Sequence, residues 1–220
     1  MGEWVPGSVA EAEAWQEEMR RRVRVDRGLG CVPRVVAGVD VAYGGDDRVA
    51  GAVVAIELEG LATVGVSTAT GLAPFPYVPG MLGFREVPVL MEALAKLDVV
   101  PDVLVCDGYG IAHPRRFGLA CHLGVLTGIP TFGVAKTPYV GTHTTVGAER
   151  GEFADLVDDG EVVGRALRTQ TDVRPVFCSP GHLIDLRTST ELTLRLSPRY
   201  RLPETTRRAD RACRDALRQL

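Results

Sequence analysis

The chain has 220 residues, of which 45% are hydrophobic and 24% charged, and a net charge of −3. That composition is ordinary for a globular protein and excludes disordered, collagenous and disulfide-scaffold classes, while the length suits one domain with a full core. No apolar run reaches the roughly 18–20 residues that cross a bilayer, and the first fifteen residues lack the charged-then-apolar layout of a secretory leader. In chain order, residues 9–25 read as an amphipathic helix, with Ala12, Trp15, Met19 and Val23 recurring every three or four positions. Residues 34–43 are apolar and β-branched, as in a central strand. Gly44-Gly45-Asp46-Asp47 signals a hairpin, and residues 48–58 and 62–69 follow as two further strands joined at Glu59-Gly60. After a Pro-rich loop at 74–79, Val87, Leu90, Met91, Leu94 and Leu97 predict a helix over 84–97. Residues 103–106 form a short buried strand. Then come a helix over 115–126, strands over 131–135, 161–168 and 176–178, and a helix over 188–196 with Thr188 and Glu191 at capping-box spacing.

Three contiguous antiparallel strands followed by alternating helices and strands describe a mixed α/β sheet flanked by helices. The order suits a ribonuclease H-like sheet better than a doubly wound nucleotide-binding one, because no Gly-rich phosphate loop follows the first strand. We expect a single domain over 1–220, with residues 1–8 and 212–220 as loose ends. Five cysteines, an odd number with no metal-ligand spacing, fit a reducing cytoplasm, where they act as small apolar fillers.

Charge is unevenly distributed. Residues 1–110 carry 9 basic and 16 acidic side chains, whereas 111–220 carry 16 and 12. From Arg195 onward there are eight arginines against three acids. Local positive potential of this kind suits phosphate, although a solvated helix with surplus arginine reads the same way.

Individual acids are more informative. Asp40 lies inside the run VVAGVDVAY, where an ionised carboxylate is costly unless paired or metal-bound. Asp107 closes the run VLVCDG before a glycine turn, and Glu86 stands near the start of the helix after the Pro-rich loop. If those elements are neighbours, three carboxylates converge, a set suited to Mg²⁺. Singly, each has a structural reading: a strand-end acid, a turn cap, a helix-dipole partner. Lys136 closes TFGVAK and either holds a phosphate or extends its head to solvent from a strand end. His113 precedes Pro114-Arg115-Arg116 at the start of the helix over 115–126, where backbone N–H groups are also free for an anion. His182 sits in a Ser-Pro-Gly-His turn, and His143 reads as surface. Cys121 and His122 are adjacent on a helix and therefore do not face each other, which sets aside a thiol nucleophile.

These segments together resemble the endonuclease V family. The resemblance is carried by AGVDVAY (37–43), by PYVPGMLGFRE (76–86), and by DGYGIAHPRRFGLACHLGVLTGIPTFGVAKT (107–137). It continues through PVFCSPGHLIDL and RLPETTRRAD, and covers roughly residues 15–211. It implies a ribonuclease H-like fold and Mg²⁺-dependent hydrolysis, with Mn²⁺ as a substitute. The bond cut would be the second phosphodiester 3′ to deoxyinosine, leaving a 3′-hydroxyl and a 5′-phosphate. By that resemblance Asp40 and Asp107 are the principal metal ligands and Glu86 completes the acidic set. Lys136 and His113 line the site, and His182 lies near the metal or scissile phosphate. Tyr77, with Pro79 beside it, forms a wedge between the strands. The N–H groups of Leu82 and Gly110 face a flipped base, and Arg115 and Arg116 contact the nucleic acid. The expected partner is inosine-containing DNA, with RNA or single-stranded DNA as further substrates, and no membrane. Asp185, after the Gly-His pair, stands open as a fourth carboxylate or a surface acid. The alternatives are an inosine-specific endoribonuclease, another ribonuclease H-like nuclease such as a resolvase, and a non-catalytic binding module.

Overall fold

The computed structural model describes residues 5–220. Helix α1 (Val9–Met19) runs into a 3₁₀ turn at Arg20–Arg22, and strands β1 (Val35–Tyr43), β2 (Arg48–Glu57) and β3 (Thr63–Leu72) form the expected meander. Helix α2 (Leu82–Ala95), β4 (Val103–Cys106), α3 (Leu119–Thr127) and β5 (Thr131–Ala135) come next, followed by β6 (Phe153–Asp158), β7 (Glu161–Leu167) and β8 (Val176–His182). Helices α4 (Leu186–Leu196) and α5 (Glu204–Leu217) end the described elements. All eight strands join one sheet in the order β3-β2-β1-β4-β5-β8-β7-β6. β1, β4 and β5 are mutually parallel and every other pairing is antiparallel. The fold is ribonuclease H-like.

The period-two pattern of β1 divides the core. Val35, Ala37 and Val39 pack with Val87, Leu90 and Ala93 of α2 and with Leu119 and Leu123 of α3. Val36 turns the other way, toward Leu192 and Leu196 of α4 and Ala209 of α5. Gly38 shares that second face, and a Cβ there would lie 2.2 Å from the Thr205 carbonyl carbon. The backbone of α5 therefore rests directly on the strand, an approach only glycine permits. Asp40 is next in the same alternation, so it too faces α5.

Several elements depart from the sequence reading. The helix expected from residue 115 starts at Leu119, because Arg116 has a left-handed φ of 54° and Gly118 is extended. β8 continues through Ser179-Pro180-Gly181, which reads as a turn in isolation but pairs with β5 across a register shift. β6 is absent from the sequence reading, since only Ala154 and Leu156 of FADLVD are buried. Residues 212–217, expected to be loose, continue α5. Besides Glu204, which is paired with Arg207 and Arg208, the buried residues of α5 are Thr205, Thr206, Ala209 and Cys213, small enough for close packing but nearly silent in hydropathy. The cap of α4 is Asp185, which accepts the Thr188 N–H at 2.7 Å, rather than Thr188 itself. Residues 1–4 of the N-terminal end lie outside the described residues.

Candidate active site

Parallel pairing of β1 with β4 sets the central geometry. Val39 is opposite Cys106, so Asp40 and Asp107 each stand one residue further along neighbouring strands. β5, parallel on the other side of β4, brings Lys136 just past its end. The Lys136 Nζ lies 2.6 Å from Asp107 Oδ2. From the opposite layer α5 contributes Asp210, whose Oδ1 is 2.8 Å from Arg214 Nη2. Asp40, Asp107, Lys136, Asp210 and Arg214 line one open polar cleft of about 490 Å³.

Asp40 Oδ1 accepts the Val41 N–H at 2.8 Å. Burial, reinforced by the charge of Asp107, raises the Asp40 carboxyl from 3.8 to about 7. Glu86 is buried behind the cleft on α2, where its Oε1 accepts from the Tyr43 hydroxyl at 3.0 Å. Burial raises it to about 8, opposed by that hydrogen bond and assisted by the charges of Asp40 and Asp107. Arg85 is placed 5.2 Å from the Tyr43 ring centroid and bonds Asp47 at 3.1 Å, which fixes the tyrosine that holds Glu86. The charges of neighbouring carboxylates thus oppose ionisation of Asp40 and Glu86, and a cation in the cleft would relieve that opposition. Among the described residues no three His, Cys, Asp or Glu side chains form a ready-made metal cage. The donor set fits Mg²⁺ nonetheless, since that ion keeps several waters and binds through one or two carboxylates plus substrate phosphates.

Beside the cleft is a second, mainly apolar cavity of about 200 Å³. Tyr77, Leu82, Tyr109, His113, His122 and Tyr139 are among its walls. Tyr77 stands at 72% exposure, while Tyr109 and Tyr139 lean together with centroids 5.3 Å apart. Pro79 and Gly80 form part of the same wall. Leu82 opens α2 with no side chain capping the helix, so its first-turn N–H groups are of the kind left for a ligand.

The structure thus gathers Asp40, Asp107 and Lys136 in one cleft with Glu86 behind, and Tyr77, Pro79 and Leu82 around the cavity. The other expected residues are placed differently. His113 belongs to the cavity, its Nε2 3.0 Å from Gly80 O, and burial with the neighbouring Arg115 charge lowers it to about 4. His182 pairs with Thr131 at the far end of β5 from Lys136. Thr131 is opposite Leu104, three residues before Asp107 on β4, so roughly 10 Å of strand at 3.3 Å per residue separates His182 from that acid. The Gly110 N–H donates to Ser179 Oγ at 2.7 Å and is buried, so it does not face the cavity. Arg116 is paired with Asp158 at 2.8 Å and Glu161 at 2.7 Å. Arg115 reaches Gln16 Oε1 at 2.6 Å and Glu13 at 3.3 Å, so neither guanidinium is turned to a ligand. The arginine-rich C-terminal segment behaves likewise: Arg207 stacks on Tyr200, and Arg208 bonds Leu61 O, Thr63 Oγ1 and Glu204. Asp185 is spoken for as a helix cap.

Asp210 was missed by sequence reasoning. Its signal was available: it lies four residues after Thr206 and three before Cys213, so an acid sits beside the buried stripe of an amphipathic helix.

Comparison with known proteins agrees with this geometry. The family model described as Endonuclease V matches residues 17–211. An endonuclease V of Nocardia farcinica is 54% identical over 217 residues, covering 97% of this chain and 95% of the relative. The crystal structure of endonuclease V from Streptomyces avermitilis superposes with a TM-score of 0.94 at 52% identity, covering 97% of this chain and 95% of that one. Endonuclease V from Ciona intestinalis, solved with a DNA 24mer containing an inosine followed by a ribo-adenosine, has a TM-score of 0.82 at 27% identity. That match covers 96% of this chain and 98% of the other.

Proposed function

The chain belongs to the endonuclease V family and is a nuclease, and we propose that it is a Mg²⁺-dependent endonuclease acting on nucleic acid that contains deaminated adenine. The bond hydrolysed is the second phosphodiester 3′ to deoxyinosine, and the products carry a 3′-hydroxyl and a 5′-phosphate. DNA repair in the cytoplasm is the setting this reading implies. The observation that carries it is the in-register pair Asp40 and Asp107, with Lys136 beside them, next to a cavity walled by rings. The decisive experiment uses labelled duplexes differing by one deoxyinosine, incubated with Mg²⁺, with Mn²⁺ or with chelator. Metal-dependent cutting confined to the inosine strand is expected, and equal cutting of the adenine control would sink the proposal.

Asp40, Asp107 and Asp210 would hold the ion, with Glu86 keeping the field negative from behind. When bound, the ion supplies Lewis-acid polarisation of the phosphate and an acidified water. Lys136, released from Asp107, neutralises charge on the phosphate oxygens. Tyr77 occupies the gap in the stack when a base leaves it, and flipping costs least at a weakened pair such as inosine opposite thymine. The Leu82 N–H faces the carbonyl that distinguishes hypoxanthine from adenine, where an amino group would leave two donors opposed. RNA is a second reading, favoured by the ribo-adenosine after the inosine in the Ciona complex. Matched DNA and RNA strands compare the two directly.

Tyr77 gives one expected result. Base–aromatic stacking is worth about 1–3 kcal/mol, so Tyr77→Ala should weaken binding to an inosine duplex roughly tenfold or more. An inosine already single-stranded should be cut nearly as before. Equal losses on both substrates would remove Tyr77 from the wedge.

The raised carboxyls give another. In the metal-free protein Asp40 and Glu86 titrate near 7 and 8 instead of 3.8 and 4.5. Between those limits the folded state binds more protons than the unfolded one, so these groups stabilise at low pH and that contribution is lost as pH rises. A divalent cation competes with those protons, so the rise in melting temperature produced by Mg²⁺ should grow from about pH 6 to about pH 8.5. Thermal melts with and without Mg²⁺ across that range measure it. A flat or shrinking increment would mean the carboxyls do not bind the ion.

A further inference from the structure

His122 is used by none of the chemistry above, yet it is 1% exposed and lines the ring-walled cavity. Trp15, Phe84 and Phe117 surround the imidazole, with centroids 4.8, 5.1 and 5.5 Å away. Among the described residues its Nε2 is fully buried and has no hydrogen-bond partner. Buried polar atoms are nearly always paired, and an orphan of this kind asks for an explanation. Two further facts bear on it. Gly83 lies in the first turn of α2, and a Cβ there would fall 2.6 Å from the His122 Nδ1. A poor helix former therefore occupies a helical position so that the ring and the helix start can meet. The Gly110 N–H, expected to address a base, is taken by Ser179.

We propose that His122 is the side chain that hydrogen-bonds the edge of the heteroaromatic base received by this cavity, an assignment that rests on the inosine-directed reading above. Burial keeps the ring neutral, lowering it to about 3. A neutral imidazole presents one donor and one acceptor. The apolar walls hold the base by area and the imidazole orients it, the division of labour usual in small-molecule sites.

The test compares wild type, His122→Leu and His122→Gln by fluorescence anisotropy, with Ca²⁺ in place of Mg²⁺. The probes are three single-stranded oligonucleotides identical except for deoxyinosine, deoxyadenosine or an abasic site at one position. His122→Leu should lose about tenfold in affinity for the inosine strand, the equivalent of one hydrogen bond, and nothing on the abasic strand. Its melting temperature should equal or exceed wild type, because an unpaired buried nitrogen is gone. His122→Gln, which keeps a donor and an acceptor, should recover part of the loss. If the leucine variant does not fold, ¹⁵N spectra of the wild-type imidazole answer the same question, with a shift expected on adding the inosine strand and none on the abasic one. Full inosine preference in His122→Leu, equal losses on the inosine and abasic strands, or an imidazole indifferent to the base would overturn the assignment. A wild type that binds deoxyinosine and deoxyadenosine strands alike would instead sink the inosine reading. The role of His122 would then still be decided by base against abasic site.

Discussion

Replacing Asp40 or Asp107 with asparagine should lower cleavage of an inosine strand by at least about 10³-fold, a loss of the size seen when a principal charge-stabilising group is removed. Binding should not fall with it. Both carboxylates repel phosphate whenever no cation screens them, so each variant should bind the strand in chelator as tightly as wild type or more tightly. The two should also differ. Asp107→Asn removes the acid 2.6 Å from the Lys136 ammonium, leaving that cation free for a phosphate. Asp40 instead accepts a hydrogen bond from the Val41 backbone N–H. Affinity without metal should therefore rise further for Asp107→Asn than for Asp40→Asn, and the excess should vanish when Lys136 is changed to Met. Single-turnover cleavage and equilibrium binding on the same oligonucleotide give all the numbers required. Substantial Mg²⁺-dependent cutting by either variant would end the metal-ligand assignment.

The second large effect is expected far from any reacting atom. A methyl group at Gly38 would sit 2.2 Å from the Thr205 carbonyl carbon and 2.4 Å from its oxygen. Backbone atoms cannot turn aside as a flexible side chain can, so Gly38→Ala must push α5 off the sheet. Overpacking costs about 1–3 kcal/mol and occasionally more, and displacement of a whole helix belongs at the upper end. For a chain of this length, melting should fall by roughly 6–12 °C. The variant should also lose most of the thermal stabilisation that Mg²⁺ confers on wild type, because Asp210 moves with the helix. A variant that melts at the wild-type temperature would show that α5 adapts. One that melts early but keeps the full Mg²⁺ increment would show that Asp210 is no part of the ion site.

How much of this was legible beforehand depended on hydrophobic contrast. β4 and β5 emerge with the expected bounds because VLVC and TFGVA are continuous apolar runs between turn residues. Asp40 and Asp107 were conspicuous for the same reason, as acids against an apolar background. α5 was hidden because it packs through threonine, alanine and cysteine, and Asp210 went with it. Paired arginines deceived in the other direction. Arg116 advertises phosphate binding in the sequence, and nothing local reveals that Asp158 and Glu161 lie within reach, whereas Glu204, four residues before Arg208, was a visible partner for the tail. His182 and Gly110 were misplaced for a topological reason: the motif order along the chain does not say that β8 runs back against β5. Those pairings are properties of the folded sheet.

The seating of α5 on β1 also has a meaning in time. Strand β1 ends at Tyr43, and Asp210 is added 167 residues later. At translation rates of about 5–20 residues per second, roughly ten to thirty seconds separate the two during synthesis. Throughout that interval the nascent chain, tethered beside the messenger that encodes it, has the first strand but lacks the helix that closes the acidic cleft. A polypeptide halted by premature termination before α5 is likewise an unfinished blade. The cleft lined by Asp40, Asp107 and Asp210 is thus complete only after α5 has been made.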